Sequence, residues 1–228
     1  SPEALPRLYA PDNDPVEVAP IAKGFEFRNA PEALTGLQKA IAVEALGKNR
    51  FQVTHRLTNV GQWAIEVAPW ALSVMAPGGM AIVPQQRNPK HGNPFAPDRS
   101  LVLWPYSSFA DPRLTCGDRY FLLGQDPAAT GPCKIGFNCE PGWIAYANAG
   151  TALVKHFEHF GDAVYPDGGC SVESYTCADF CEIETVAPLY CLEPGDSAEH
   201  VEVWQGLAGL PEIRTEADVA THLEPLLA

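Results

Sequence analysis

Two glutamates stand two residues apart in an apolar segment, Glu182 and Glu184 within "FCEIETV". Alternate side chains of a β-strand share a face, so both carboxylates would point the same way, about 7 Å apart, with Cys181, Ile183 and Thr185 on the core face. Like charges this close raise at least one pKa, which lets a neutral acid and an ionised base coexist. The pattern predicts general acid–base chemistry, with the solvated face of an edge strand as the alternative.

Two basic side chains are candidates for the same site. His55, in "FQVTHRLTN", shares a predicted strand face with Phe51 and Val53 and therefore projects towards apolar surroundings. It is either a hydrogen-bonded core histidine or a catalytic acid or base. Lys155, in "VKHFEHF", lies on one strand face with Phe157 and could form the rim of a site.

Aromatic residues beside polar ones recur at predicted loop edges. Sugars offer apolar C–H faces and a ring of hydroxyls, so a sugar site needs flat aromatic surfaces next to carboxylates and other polar groups. Core packing is the alternative for any one aromatic. The candidate substrate-binding residues are Trp70, Trp104, Asp118, Arg119 and Lys155.

Charge and motifs remove several functional classes. The net charge is −13 and the 15 basic residues are scattered, so nucleic acid is not an expected partner. No apolar run reaches the roughly 18 residues of a membrane span, so we expect no membrane partner. The sequence has no GxSxG, GxxxxGK[ST] or GxGxxG motif and no CxxC pair. We therefore predict no cofactor and no metal site.

Seven cysteines lie in the second half of the chain. That number favours an oxidising, secreted or periplasmic location over the cytoplasm, which stays the alternative. The thiols are read either as disulfide partners, with one left over, or as small buried hydrophobic groups.

Alternating apolar and polar residues dominate from residue 37 onward, and the pattern predicts an all-β fold. Residues 37–46 and 50–59 would form a hairpin around Gly47, and 63–76 a single strand. The first 35 residues are interpreted as irregular, and the polar loop 85–99 as a wall of the site. Further predicted strands are 80–84, 100–104, 119–123, 142–147, 151–158, 180–186 and 198–207. The C-terminal "TEADVATHLEPLLA" predicts one helix that begins with a capping box.

Several segments together resemble the bacterial mutarotase-like proteins, a branch of the galactose mutarotase (aldose 1-epimerase) superfamily. They are "VTHRLTNVGQWAIEVAPWALSVMAPGGMAIVP", "LWPY", "GDRY", "KIGF", "YPDGG" and "EIETVAPLYCLEPGDSAEHVEVW", and they span roughly residues 50 to 207. The resemblance implies a large antiparallel β-supersandwich whose concave face binds sugars. It also implies one domain over residues 1–228, lacking the first N-terminal strands of such proteins.

In mutarotases a carboxylate takes the proton of the anomeric hydroxyl and a histidine protonates the ring oxygen. Glu184 or Glu182 matches the carboxylate, whereas the histidine's region reads "IEVAPWALSV", with Trp70 and no histidine. His55 lies one strand too early to match. We predict a carbohydrate-active protein of aldose 1-epimerase type that acts on or binds a sugar or oligosaccharide. The alternatives are a non-catalytic sugar-binding module and a structural or assembly protein.

Overall fold

The computed structural model describes residues 13–86, 95 and 99–227. Within them the chain is almost entirely β-strand. The strands are β1 (Glu17–Ile21), β2 (Gly24–Arg28), β3 (Leu37–Gly47), β4 (Arg50–Asn59), β5 (Ile65–Val67), β6 (Trp70–Met75), β7 (Met80–Pro84), β8 (Leu101–Leu103), β9 (Leu114–Cys116), β10 (Tyr120–Gly124), β11 (Cys133–Phe137), β12 (Trp143–Asn148), β13 (Thr151–Phe157), β14 (Val172–Thr176), β15 (Cys181–Val186), β16 (Tyr190–Leu192) and β17 (Ser197–Ala208). A helical segment follows, with α1 (Glu216–Asp218) continued by a wider turn, Val219–Leu223, and a tighter turn, Glu224–Leu226.

The strands form two main antiparallel sheets. The large sheet has the order β1-β2-β3-β4-β17-β13-β12-β7-β10-β9, and the small sheet has the order β6-β15-β14-β11-β8. Strands β5 and β16 pair separately. This arrangement confirms the predicted all-β sandwich with one short C-terminal helix.

Two apolar layers hold the sandwich together. Between the sheets, Ile144 and Tyr146 of the large sheet pack with Phe137 and Ile183 of the small sheet. The opposite face of the large sheet is covered by the C-terminal segment through a second cluster that includes Leu223. Burial of apolar surface on both faces of the central strands is the main force that joins the three layers.

The C-terminal segment begins with the predicted capping box. The Thr215 side chain accepts from the backbone N–H of Asp218, whose carboxylate accepts from the backbone N–H of Thr215. Val219 and Leu223 are buried. Leu226 is 44% exposed, since the tighter final turn rotates it away from the sheet.

Local turn chemistry explains where the strand predictions succeeded and failed. The β3–β4 hairpin is confirmed, and its two central residues, Lys48 and Asn49, have φ values of 51° and 57°, as a two-residue hairpin turn requires. The predicted strand 63–76 is wrong as one element. Pro69 has no backbone N–H to continue a ladder, and the chain divides there into β5 and β6, which pair in different sheets.

The opening segment is also more regular than predicted. Residues expected to be irregular include β1 and β2, which form a hairpin at the edge of the large sheet. Pro20 is tolerated in β1 because an edge strand has one unpaired side. Most of the loop 85–99, predicted to wall the site, lies outside the described residues.

All seven cysteines lie within the described residues, and all are free thiols. Four of them, Cys133, Cys139, Cys170 and Cys181, are buried, as the small-hydrophobe interpretation expects. The alternative interpretation of the cysteines as disulfide partners is therefore not supported. Among the described residues, no helix has both the length and the apolar character needed to cross a membrane.

Candidate functional site

The small sheet has one face in the core and one face turned away from the large sheet. Ile183 of β15 packs in the core, so its neighbours Glu182 and Glu184 face outward, as the strand alternation predicted. Register brings partners to this outer face, because Glu184 lies opposite Glu173 of β14. Lys134 of β11 lies diagonally to Glu173 on the same face.

Five side chains form what we call the small-sheet cluster: Trp70, Trp104, Lys134, Glu173 and Glu184. The Lys134 ammonium is at its centre, with Nζ 2.7 Å from Glu173 Oε2 and 2.9 Å from Glu184 Oε2. The indole N–H of Trp70 donates to Glu184 Oε2 at 2.6 Å. One ammonium therefore serves two carboxylates, and one of these carboxylates also binds an indole.

Two indole rings complete the surroundings of the ammonium. Lys134 Nζ lies 4.9 Å from the ring centroid of Trp70 and 4.7 Å from that of Trp104, within range of cation–π attraction. Gly136 makes room for Trp104, since a Cβ at this position would lie 3.2 Å from the indole and 2.5 Å from Cys170 Sγ. Tyr106 continues the aromatic surface, 48% exposed and edge-on to Tyr175.

Two carboxylate oxygens of the cluster have no hydrogen-bond partner among the described residues. They are Glu173 Oε1 and Glu184 Oε1, on side chains that are almost completely buried. A buried acceptor without a donor costs free energy, and native proteins keep few of them. Both oxygens could accept a hydrogen bond from a bound hydroxyl or amine.

The cluster shifts the protonation of its members. Burial raises the pKa of Glu173 to about 7; Lys134 opposes this shift and Glu184 adds to it. Burial and the Glu184 charge raise the pKa of Glu182 to about 7 as well. Burial alone would lower the pKa of Lys134, but the two carboxylates outweigh it and raise that pKa. Near neutral pH Glu173 can therefore either hold or release a proton, as acid–base catalysis requires.

The raised pKa of Glu173 makes stability depend on pH. The unfolded carboxyl ionises near 4.5 and the folded one near 7, so stability is lost as pH rises between these values, by on the order of 2 kcal/mol. Glu173→Gln removes this titration. As the pH rises from 5 to 8, we expect the free energy of unfolding of the variant to increase relative to that of wild type, measured by chemical denaturation.

A matched control separates this local effect from a general change in charge. Glu17→Gln alters an exposed carboxylate on β1, at the far edge of the large sheet. Its stability relative to wild type should stay flat over the same pH range. If the stability difference between Glu173→Gln and wild type is also independent of pH, the raised pKa of Glu173 is contradicted.

His55 and Lys155 lie elsewhere, between the two sheets. They belong to what we call the large-sheet cluster: His55, Lys155, Thr185, His200, Glu202 and Trp204. Glu202 is fully buried and accepts from Lys155 at 2.8 Å, from Thr185 at 2.6 Å and from Trp204 at 2.9 Å, and it pairs with His55 at 2.8 Å.

The large-sheet cluster joins the sheets. Lys155 of the large sheet donates to the carbonyl of Ala71 in β6, and Thr185 of the small sheet donates to Glu202. Burial would raise the pKa of Glu202, but Lys155 and His55 outweigh it and lower the pKa to about 2. Every hydrogen-bonding position of this carboxylate is occupied. These contacts favour a structural role for the cluster.

Asp118 and Arg119 form a third group, at the turn before β10. Glu216 of the C-terminal segment accepts from the backbone N–H groups of Asp118, Arg119 and Tyr120, at 2.6–3.0 Å. The Arg119 guanidinium pairs with Glu224 at 2.7 Å. These contacts attach the C-terminal segment to the large sheet.

The structure thus divides the residues singled out from the sequence. Glu182, Glu184, Trp70 and Trp104 share the outer face of the small sheet, whereas His55, Lys155, Asp118 and Arg119 lie elsewhere. Sequence reasoning missed Lys134 and Glu173. The available signal was period-2 alternation in "CKIGF" and "SVESYT", where each charge stands between apolar or small residues. In the described part of the chain, no three His, Cys, Asp or Glu side chains are grouped to hold a metal ion.

Comparison with solved structures shows that this fold is similar to that of galactose mutarotase-like proteins. A galactose mutarotase-like protein from Lactobacillus casei ATCC 334 is similar over 84% of this chain and 72% of its own, with a TM-score of 0.51 and 12% identity. A TPR-domain containing protein from Parabacteroides distasonis ATCC 8503 gives the same TM-score and identity over 89% of this chain and 36% of its own.

An aldose epimerase homologue from C. elegans is similar over 85% of this chain and 68% of its own, with a TM-score of 0.42 and 11% identity. The sequence matches no protein-family model and no curated protein. At these identities the likeness concerns the fold, which hosts functions that only a site can specify.

Proposed function

We propose that the chain is a carbohydrate-active protein of aldose 1-epimerase type, with its site at the small-sheet cluster. The observation that carries the proposal is the pair Glu173 and Glu184, held by one ammonium, with an unpartnered oxygen on each carboxylate. Exposed aromatic surface adjoins the pair, as binding of a sugar ring requires. The shared fold supports a carbohydrate-related role.

The reaction divides between the two carboxyl groups. Glu184 takes the proton of the anomeric hydroxyl, and Glu173 gives its proton to the ring oxygen. The bond between the anomeric carbon and the ring oxygen breaks, leaving an open-chain aldehyde. After rotation the ring recloses by the reverse transfers, so both glutamates regain their starting states and no co-reactant is consumed.

Access to the pair depends on Trp70. Both free oxygens are buried, while the Trp70 indole is 45% exposed and hydrogen-bonded to Glu184. A sugar reaches the carboxylates when this indole turns outward and stacks on the apolar face of the ring. Lys134 then keeps the two carboxylates in place, because its two ion pairs do not involve the indole.

Binding is tested by NMR titration of the labelled chain with a panel of mono- and oligosaccharides. We expect chemical-shift changes at the indole N–H of Trp70 and at β11, β14 and β15. Trp63, which is 79% exposed, provides an internal control indole that should not move. Shifts confined to other regions, or no shifts with any sugar, would contradict the proposed site.

A non-catalytic sugar-binding module is the second candidate, favoured by the exposed aromatic surface of Trp70 and Tyr106. Such a module needs the aromatic surface but no proton donor. It would show the same NMR shifts without faster anomer exchange.

A further inference from the structure

The charges on the outer face of the small sheet are unbalanced. Among the described residues, Glu173, Glu182 and Glu184 face outward around the ammonium of Lys134, and a negative excess develops as Glu173 and Glu182, whose pKa values are about 7, lose their protons. Both ion pairs of Lys134 are made with members of this group. Asp167 adds a further negative charge that acts on Glu173.

The guanidinium of Arg113 does not correct this excess. Arg113 acts on Tyr175 of the same face, but it forms a two-pronged ion pair with Asp111, at 3.0 and 2.8 Å. Within the part of the chain that the structure describes, Arg113 therefore does not offset the carboxylate excess. An anionic ligand would be repelled here, and a cationic one attracted.

The unpartnered oxygens point to the same kind of ligand. Glu173 Oε1 and Glu184 Oε1 lie on side chains that are 2% and 0% exposed, and each lacks a donor among the described residues. A carboxylate oxygen accepts only, and a charged N–H donor makes a stronger hydrogen bond to it than a neutral hydroxyl. Indole faces, as at Trp70 and Trp104, also attract ammonium groups.

We propose that the sugar recognised at the small-sheet cluster carries a protonated amino group, as in a 2-amino-2-deoxyhexose. The ammonium donates to the free oxygen of Glu184 beside the anomeric hydroxyl, the Glu173 carboxyl keeps its proton for the ring oxygen, and the ring stacks on exposed aromatic surface. Uronic acids are rejected by the carboxylate excess. This inference rests on the proposed function and narrows its substrate class to amino sugars.

Calorimetric titration of the full chain at pH 7.5 and fixed ionic strength tests the inference, because Glu182, with a pKa of about 7, is mostly ionised at this pH. The ligands are glucosamine and galactosamine, the parent hexoses glucose and galactose, and the corresponding uronates. We expect an amino sugar to bind at least about tenfold more tightly than its parent hexose, with the uronate weakest. Equal binding of amino sugar and parent, or tightest binding of a uronate, would overturn the inference and leave the proposed function standing.

Single substitutions test whether the preference for amino sugars over neutral hexoses arises at the small-sheet cluster. Glu182→Gln, which removes a negative charge beside the acceptor, should reduce the ratio of amino-sugar to hexose affinity several-fold, and Glu184→Gln, which removes the acceptor itself, provides a second test if the first variant folds poorly. Glu17→Gln removes the same charge at the far edge of the large sheet and should leave the ratio unchanged. If the affinity ratio falls equally in all three variants, the preference reflects only the net charge of the protein and the inference is overturned. Failure of every sugar to bind wild type would overturn the proposed function as well.

Discussion

Replacing Glu184 with glutamine is expected to slow α/β anomer exchange of the bound sugar by on the order of 10²–10⁴-fold, the usual contribution of a positioned acid or base. Glutamine keeps the size of the side chain and a hydrogen bond to Trp70 but cannot take the anomeric proton. Lys134 retains its 2.7 Å ion pair with Glu173. The free energy of unfolding should therefore fall by only about 1–2 kcal/mol.

Exchange rates measured by NMR magnetisation transfer, together with denaturation curves, test this prediction. Glu199→Gln provides a matched control, because Glu199 is exposed on β17 and pairs only with Arg56 among the described residues. It should change neither the exchange rate nor the fold. A folded Glu184→Gln variant with the wild-type rate would remove Glu184 from the reaction. A rate loss that follows the fraction of unfolded protein would make its role structural.

Replacing Glu202 with glutamine is expected to cost about 3–5 kcal/mol of unfolding free energy, the loss typical of a broken buried ion pair. The change leaves the Lys155 ammonium without a counter-charge at a site that is 0% exposed. It also disturbs the bonds from Thr185 and Trp204, so the tie between the sheets is weakened.

Urea denaturation of Glu202→Gln and Glu199→Gln compares two glutamates of one strand. The exposed pair of Glu199 with Arg56 should cost about 1 kcal/mol or less. Similar losses in the two variants would contradict the structural role of the large-sheet cluster. Loss of anomer exchange in a Glu202→Gln protein that remains folded would instead place this cluster in the site.

The parts of the fold that could be predicted are those set by neighbouring residues. Alternation along "FCEIETV" correctly assigned Ile183 to the core and Glu184 to the outer face. The β3–β4 hairpin followed in the same way from two alternating segments and a short turn. By contrast, β14 and β11 were missed as strands, because Ser and Gly interrupt these short segments.

The composition of the site could not be predicted, because it depends on pairing between distant strands. Lys134 and Glu184 are 50 residues apart and meet only because β14 lies between their strands. His55 was a candidate because it is a titratable group in an apolar strand. Its partner Glu202 is 147 residues away in the sequence, and the pair lies between the two sheets. Residue type suggested the chemistry, whereas sheet order decided which residues could share it.

The most direct test of the central claim is the rate of α/β anomer exchange of amino sugars and neutral hexoses with the wild-type chain, measured by NMR magnetisation transfer. We expect faster exchange for at least one aldose, in proportion to protein concentration, with Glu184→Gln at the background rate. Binding of these sugars at the small-sheet cluster with no acceleration of exchange would contradict the epimerase chemistry and leave a sugar-binding module.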